Sequence, residues 1–326
     1  MVTAIEPVLR RQLIASRQKL VSASSVFHQP AELTRLLDEV DSALKRMDDG
    51  VYGLCEVCHD PVETERIIAN PTERFCLGDL TANQQRALEE DLQLAAQIQN
   101  TLLPPPARTV AGWDVAYHYQ PAGPVSGDYC DLINGEHESL YFVLGDVSGK
   151  GVAASMLMAH LHAMFRTLAS IEMPLEQMVE RASRVFCEST LPTQYATLVC
   201  GKASADGQVE ICNAGHLPPL LVQGGDVTCI AATGLPVGMF SSESFSVSKF
   251  QMGKGDSILL YTDGCSERSD QTGQEYGLDR LCEMLREDPD TSPRPLLERG
   301  LRHLENFAQG SAPIDDVTLM AIQRIH

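Results

Sequence analysis

A chain of 326 residues, 44% of them hydrophobic and 21% charged, is long enough to bury one substantial core and to carry a second unit. Its formal net charge of -19 repels nucleic-acid phosphates and offers no basic stripe to anionic lipid, which argues against both as partners. No stretch approaches the roughly 20 apolar residues of a membrane span, and Arg10, Arg11, Arg17 and Lys19 interrupt the region where a signal peptide needs its apolar segment, so the chain is expected to stay in the cytoplasm.

From Met1 to about Met47 the apolar residues, most clearly Leu33, Leu36, Leu37, Val40, Leu44 and Met47, fall at helical spacing with a break near His28-Gln29-Pro30. Two antiparallel helices are expected. Residues 48–80 follow, punctuated by Gly, Pro and Cys and too poor in apolar residues for a core of their own, so a metal is expected to hold them. Within them Cys55 and Cys58 form a C-x-x-C knuckle, and after 17 intervening residues Cys76 is followed at the next knuckle position by Asp79. This is the spacing of a four-cysteine zinc ribbon with its last thiolate replaced: either Cys55, Cys58, Cys76 and Asp79 hold one Zn2+, or the module is a metal-free relic. His59, adjacent to Cys58, is badly placed to close the same tetrahedron. The other seven cysteines, Cys130, Cys187, Cys200, Cys212, Cys229, Cys265 and Cys282, lie in apolar segments and read as small buried hydrophobes of a reducing compartment.

Thr81 to Leu103 returns to helix, with Leu88, Leu92, Ala95, Gln99 and Leu102 at alternating steps of four and three and with Leu94 and Ile98 widening the apolar face. Pro104-Pro105-Pro106 stops it. The short seam suits either a dimeric coiled coil or a helix packed on its neighbour. Beyond Trp113 the pattern predicts strands in "WDVAYHYQ" and "SLYFVLGDV", one long helical stretch from Val152 through Ser189, and further strands in "YATLVCGKA", "QVEICNA", "PPLLVQ", "SFSVSKFQM" and "DSILLYTDG". Helices near 278–287 and 293–307 and a last strand, "DVTLMAIQRI", complete a mixed α+β pattern.

Four acidic sites stand where strands end or turns begin: Asp128, Asp146, Asp263 and the pair Asp315-Asp316. Asp-Gly is an ordinary turn signal, but its recurrence at apolar strand ends suits a hard-cation site assembled from distant segments. The "GDVSGKG" segment is no P-loop: the spacing from Gly145 to Gly149 is one residue short and Gly151 stands where Ser or Thr is needed. Lys150 reads as a solvated side chain. In the 152–170 helix Met156, Met158 and Met164 read as core filler, and His160 and His162, two apart, face different sides.

From about Glu89 to Ile325 the chain resembles the SpoIIE/RsbU-like branch of the PPM metal-dependent protein phosphatases, through "AAQIQNTLLPPP", "SGDYCDL", "GDVSGKGVAASMLMA", "NAGHLPPLL", "GLPVGM", "LLYTDGCSE" and "DDVTLMAI" in that family's order. The match covers more than two thirds of the chain and implies an αββα sandwich, two mainly antiparallel sheets flanked by helices, over 106–326. It also implies that Asp146 bridges two Mn2+ or Mg2+ ions, that the carbonyl of Val147 binds one of them and leaves its side chain free to vary, and that Asp263 and Asp315 complete the site. Asp128 would contact a metal directly or through water, with Asp146, Asp263 and Asp315 as the catalytic set. Asn213 and His216 of "NAGH" read as a turn-stabilising Asn and a structural His. The implied reaction is hydrolysis of phosphoserine or phosphothreonine on a protein, in this family usually the phosphorylated antagonist of an anti-sigma factor.

Residues 37–79 are similar to the DksA/TraR-type zinc finger, a family whose members bind RNA polymerase. The chain is therefore expected to comprise a helical hairpin with a finger module over 1–80, a linker helix over 81–105 that is a candidate homodimer contact, and the phosphatase domain. A transcription regulator that contacts polymerase through the finger, with the phosphatase fold as scaffold, is the alternative.

Overall fold

The computed structural model describes residues 2–26, 30–79, 82–135, 138–240, 243–311 and 313–326. Two compact units emerge, Met1–Ala95 with Leu191–Thr193 and Ala96–Thr190 with Gln194–His326. Among the described residues no helix is long and apolar enough to cross a membrane.

In the first unit α1 (Val2–Val26) and α2 (Pro30–Asp48) pack together, burying Leu9, Leu13, Leu33, Val40 and Met47. The turn expected at His28 lies outside the described residues. Tyr52, Cys55, Val62, Ile67 and Cys76 join that same cluster, so the finger segment shares the hairpin's core. This corrects the expectation that metal alone holds it: its few apolar residues lack periodicity, yet they bury together with the hairpin's apolar face. Polar ties reinforce the junction. Arg46 Nη2 donates to the carbonyls of Thr72 (3.3 Å) and Glu73 (3.2 Å), and the Tyr52 hydroxyl donates to that of Pro71 (2.8 Å). Helix α3 (Thr64–Ala69) and a short turn of 3-10 helix at Leu77–Asp79 complete the module, and α4 (Ala82–Leu102) follows.

The second unit has two antiparallel sheets. One orders β1 (Ala107–Val110), β2 (Trp113–Gln120), β11 (Val317–Arg324), β10 (Ser257–Tyr261), β7 (Leu220–Gln223) and β8 (Asp226–Cys229); the other orders β3 (Asp128–Asn134), β4 (Ser139–Val147), β5 (Ala196–Ser204), β6 (Gln208–Ala214) and β9 (Ser248–Gln251). Alternation along each strand sends successive side chains to opposite faces. On β4, Leu140, Phe142 and Leu144 enter the core between the sheets, where Ile258, Leu260, Met320 and Ile322 of the facing sheet meet them. Tyr141 and Val143 point the other way, into the layer formed with α5 (Gly151–Leu168) and α6 (Leu175–Ser189). Leu259, Tyr261, Leu319 and Ala321 likewise face α8 (Gly277–Glu287) and α9 (Pro293–Ala308). The result is the expected helix-sheet-sheet-helix sandwich.

The long helix expected over 152–189 is two helices: α5 ends at Leu168 with a turn, and Pro174, which could not sit inside a continuous helix without breaking it, stands at the N-cap of α6. Strands β1, β3 and β8 were not expected. Of the seven scattered cysteines Cys187 is half-buried and Cys229 exposed. Met156 is 68% exposed and fills no core.

Candidate functional site

Asp128 and Asp146 are Cα partners across β3 and β4. Both carry even numbers on strands whose even residues face the other sheet, so their carboxylates enter the space between the sheets at one end of the sandwich. The facing sheet answers there: the hydroxyls of Thr262, at the end of β10, and Thr318, near the start of β11, both donate to Asp128 Oδ2, at 3.0 and 2.5 Å. Thr262 and Thr318 also bond each other's backbone. Asp263 follows Thr262 and opens the short helix α7 (Asp263–Ser266), while Asp315 and Asp316 immediately precede β11. The glycine after Asp263 is a packing requirement: a Cβ on Gly264 would lie 2.0 Å from the carbonyl oxygen of Asp316.

Electrostatics confirm the crowding. Burial, and then the charges of Asp146 and Asp316, push the Asp128 carboxyl well above the usual carboxylate range. Asp146 is raised in the same way by burial and by Asp263, Asp315 and Asp316, and Asp263 is pushed up to about 7 by burial, Asp315 and Glu267. Lys150 opposes both of the latter shifts. Its Nζ sits 2.8 Å from Asp315 Oδ2 and its side chain is 19% exposed, so it is an ion-pair partner in the cluster and not the solvated side chain the sequence suggested. Mutually repelling carboxylates on a rigid sandwich edge form a donor set that fits hard divalent cations. The Val147 carbonyl lies on the same strand end, but its side chain is fully buried in the core against α5 and α6, contrary to the expected freedom to vary.

The two adjacent aspartates do different work. Asp316 accepts from the N–H groups of Ala122 (2.7 Å) and Gly127 (3.0 Å) and from the Ser126 hydroxyl (2.6 Å), which closes the loop presenting Asp128. Asp315 faces Lys150 instead. Gln99 of α4, 5% exposed, clamps the same loop reciprocally: its Nε2 donates to the Ser126 carbonyl at 2.7 Å and its Oε1 accepts from the Ser126 N–H at 3.0 Å. The sequence presented Gln99 only as an apolar-seam position, and Ser126, Thr262 and Thr318 were not singled out; their places within two residues of Asp128, Asp263 and Asp316 were the available signal.

His216 has the structural role expected of it. Its Nδ1 meets Thr197 Oγ1 at 2.8 Å and its Nε2 the Tyr261 carbonyl at 3.1 Å, and burial lowers its pKa to about 4, which keeps the ring neutral. Asn213 Oδ1 accepts from the His216 N–H at 2.9 Å.

In the first unit the sulfurs of Cys55, Cys58 and Cys76 lie within 4.8 Å of one another, the sole such group of three or more His, Cys, Asp or Glu among the described residues. Cys58 Sγ and Cys76 Sγ are 3.3 Å apart, near the roughly 3.8 Å edge of a tetrahedron with Zn–S bonds of about 2.3 Å. The side chain of Asp79 lies outside the described residues.

Comparison with known proteins bears on the family and the fold. Residues 136–325 match the family model described as Stage II sporulation protein E (SpoIIE), and residues 50–78 match the prokaryotic dksA/traR C4-type zinc finger. The chain is 25% identical to the protein IcfG of Synechocystis over 72% of its own length and 41% of that protein's, and 25% identical to the phosphoserine phosphatase RsbU of Bacillus subtilis over 74% and 72%. It thus spans less than half of IcfG. Its structure resembles that of the RsbU and RsbW domains of a Mycobacterium tuberculosis protein with a TM-score of 0.55 at 29% identity, over 68% of this chain and 62% of that one. The chain belongs to the SpoIIE family of PPM-type serine/threonine phosphatases and carries a dksA/traR-type finger ahead of that domain.

Proposed function

We propose that the C-terminal unit hydrolyses phosphoserine or phosphothreonine on a regulatory protein, the phosphorylated antagonist of an anti-sigma factor, at a pair of Mn2+ or Mg2+ ions. Asp146, the Val147 carbonyl, Asp263 and Asp315 would hold the ions, with Asp128 contributing directly or through water. The convergence of Asp128, Asp146, Asp263 and Asp315 from both sheets, where Asp146 and Asp263 raise Asp128 and Asp315 raises Asp146 and Asp263, carries this reading. Ions bound there would polarise the phosphoryl oxygens and supply a nucleophilic water at neutral pH for in-line attack on phosphorus. The chain's own part is orientation: the Thr262 and Thr318 hydroxyls fix Asp128, and Asp316 with Gln99 fixes the loop before it. The RsbU relative, a phosphoserine phosphatase, supports the substrate class.

In this reading residues 1–80 form a regulatory module with one Zn2+ on Cys55, Cys58, Cys76 and Asp79, and α4 links it to the phosphatase and brings two copies together in the cytoplasm. The exposure of Leu88, Leu94 and Ile98 on α4 supports the dimer. The test is manganese-dependent release of phosphate from a panel of phosphorylated antagonist proteins. Asp146→Asn and Asp263→Asn are expected to abolish it, and undiminished turnover in both would remove the proposal.

A further inference from the structure

Lys150 is the one feature of the "GDVSGKG" segment that the reading above leaves without a task. It lies between Gly149 (φ 101°) and Gly151 (φ 71°), left-handed positions that glycine adopts without strain. This crank lifts the lysine from the end of β4 to the start of α5 and turns its side chain toward the loop before β11. There Nζ is 2.8 Å from Asp315 Oδ2 and 3.2 Å from the Ile314 carbonyl. The other Asp315 oxygen accepts the Asp316 N–H at 3.0 Å, so both oxygens are engaged.

We propose that Lys150 is an internal rival of the divalent ion at Asp315: its ammonium holds the carboxylate oxygen the ion needs, and it must leave as the ion binds. This rests on the reading of Asp146, Asp263 and Asp315 as metal ligands. An ammonium and a divalent ion sharing one carboxylate repel across about 4 Å, and in a half-exposed site, after screening, that repulsion amounts to about a tenfold change in affinity. A lysine there also tempers the repulsion on Asp146 and Asp263, so the fold tolerates the cluster while metal uptake requires a higher concentration. Lys150 is thus a positioning residue that sets how much metal switches the enzyme on.

The test is calorimetric titration of Mn2+ into full-length wild-type protein, Lys150→Met, Lys150→Gln and Lys150→Arg, with Asp146→Asn as control and circular dichroism to verify folding. The neutral variants are expected to bind about tenfold more tightly and Lys150→Arg to bind like wild type. Independently of any variant, reductive methylation read by mass spectrometry should label Lys150 faster in wild-type protein with Mn2+ than without it. Unchanged or weaker binding by the neutral variants, or slower labelling with Mn2+, overturns the proposal. If wild type takes up no Mn2+, or Asp146→Asn titrates like wild type, the metal reading itself falls and the rivalry with it.

Discussion

The adjacent carboxylates before β11 provide the sharpest test, because the fold assigns them opposite kinds of work. Asp316→Asn leaves one carbonyl oxygen where two carboxylate oxygens accepted three hydrogen bonds, and its amide group then points at N–H donors of Ala122 or Gly127. Hydrogen bonds to a charged acceptor contribute about 1.5–3 kcal/mol each, so losing one outright and weakening the others costs up to roughly 3 kcal/mol, less what relief of the repulsion on Asp128 and Asp146 returns. For a unit of this size that lowers Tm by up to about 6–12 °C. Asp315→Asn removes a half-exposed pair with Lys150 and relieves repulsion on Asp146 and Asp263, so it should change stability by less than about 1 kcal/mol. Its effect belongs in metal binding, with Mn2+ affinity down about 100-fold by calorimetry. Differential scanning calorimetry and Mn2+ titration of both variants decide the matter. An Asp316→Asn protein that melts like wild type but takes up no Mn2+, beside an Asp315→Asn protein that binds normally, would show that the ligand and the clamp have been assigned the wrong way round.

Gln99→Met keeps the helix and the volume but leaves both backbone groups of Ser126 without their amide partner; denaturant titration should show a loss of about 2–3 kcal/mol, and kcat should fall at least about tenfold if that loop positions Asp128. His216 titrates at about 4 in the fold against about 6.5 unfolded, so between these values the unfolded state binds the extra proton and stability declines as pH falls. The gap corresponds to about 3–4 kcal/mol at most, lost as pH falls from above 6.5 to below 4, and His216→Gln should remove that part of the slope in a wild-type-minus-variant comparison. Elemental analysis should find about one zinc per chain. Cys76→Ser should lose it and destabilise the first unit, whereas an unchanged zinc content would discard Cys76 as a ligand.

Much of the sandwich was legible because β4, β5, β6, β10 and β11 combine continuous apolar runs with buried faces on both sides, a pattern that survives in one dimension. Strand β3 was not, and its two aspartates explain why. Asp128 and Asp131 are buried at 1% and 0% exposure, so carboxylates occupy positions where the pattern asks for apolar side chains. Their partners, Thr262, Thr318 and Arg166, lie 35 or more residues away, and nothing local announces them. The break at Pro174 was visible but was overridden by the apolar periodicity on either side. The Asp set was readable from its recurrence at strand ends, whereas the clamp through Gln99 was not, because a buried amide on an apolar seam looks like a polar interruption until its backbone partner is known.

The contrast between the two buried aspartates of β3 also separates support from chemistry. Asp131 points toward α5, where Arg166 grips both its oxygens at 2.6 and 2.8 Å and His162 lies 3.7 Å away. A bidentate cation neutralises it within the fold, and removing Arg166 would strand a buried charge. Asp128, three residues earlier and on the opposite face, receives hydroxyls and faces further carboxylates; no arginine meets it among the described contacts. A fold that buries a carboxylate beside others of the same sign accepts a standing cost that Arg166 removes for Asp131 at the other face. Lys150 relieves that cost only in part, at Asp146 and Asp263; a positive charge from outside the chain would offset the rest, which supports placing the proposed phosphatase chemistry at this site and not at the salt bridge.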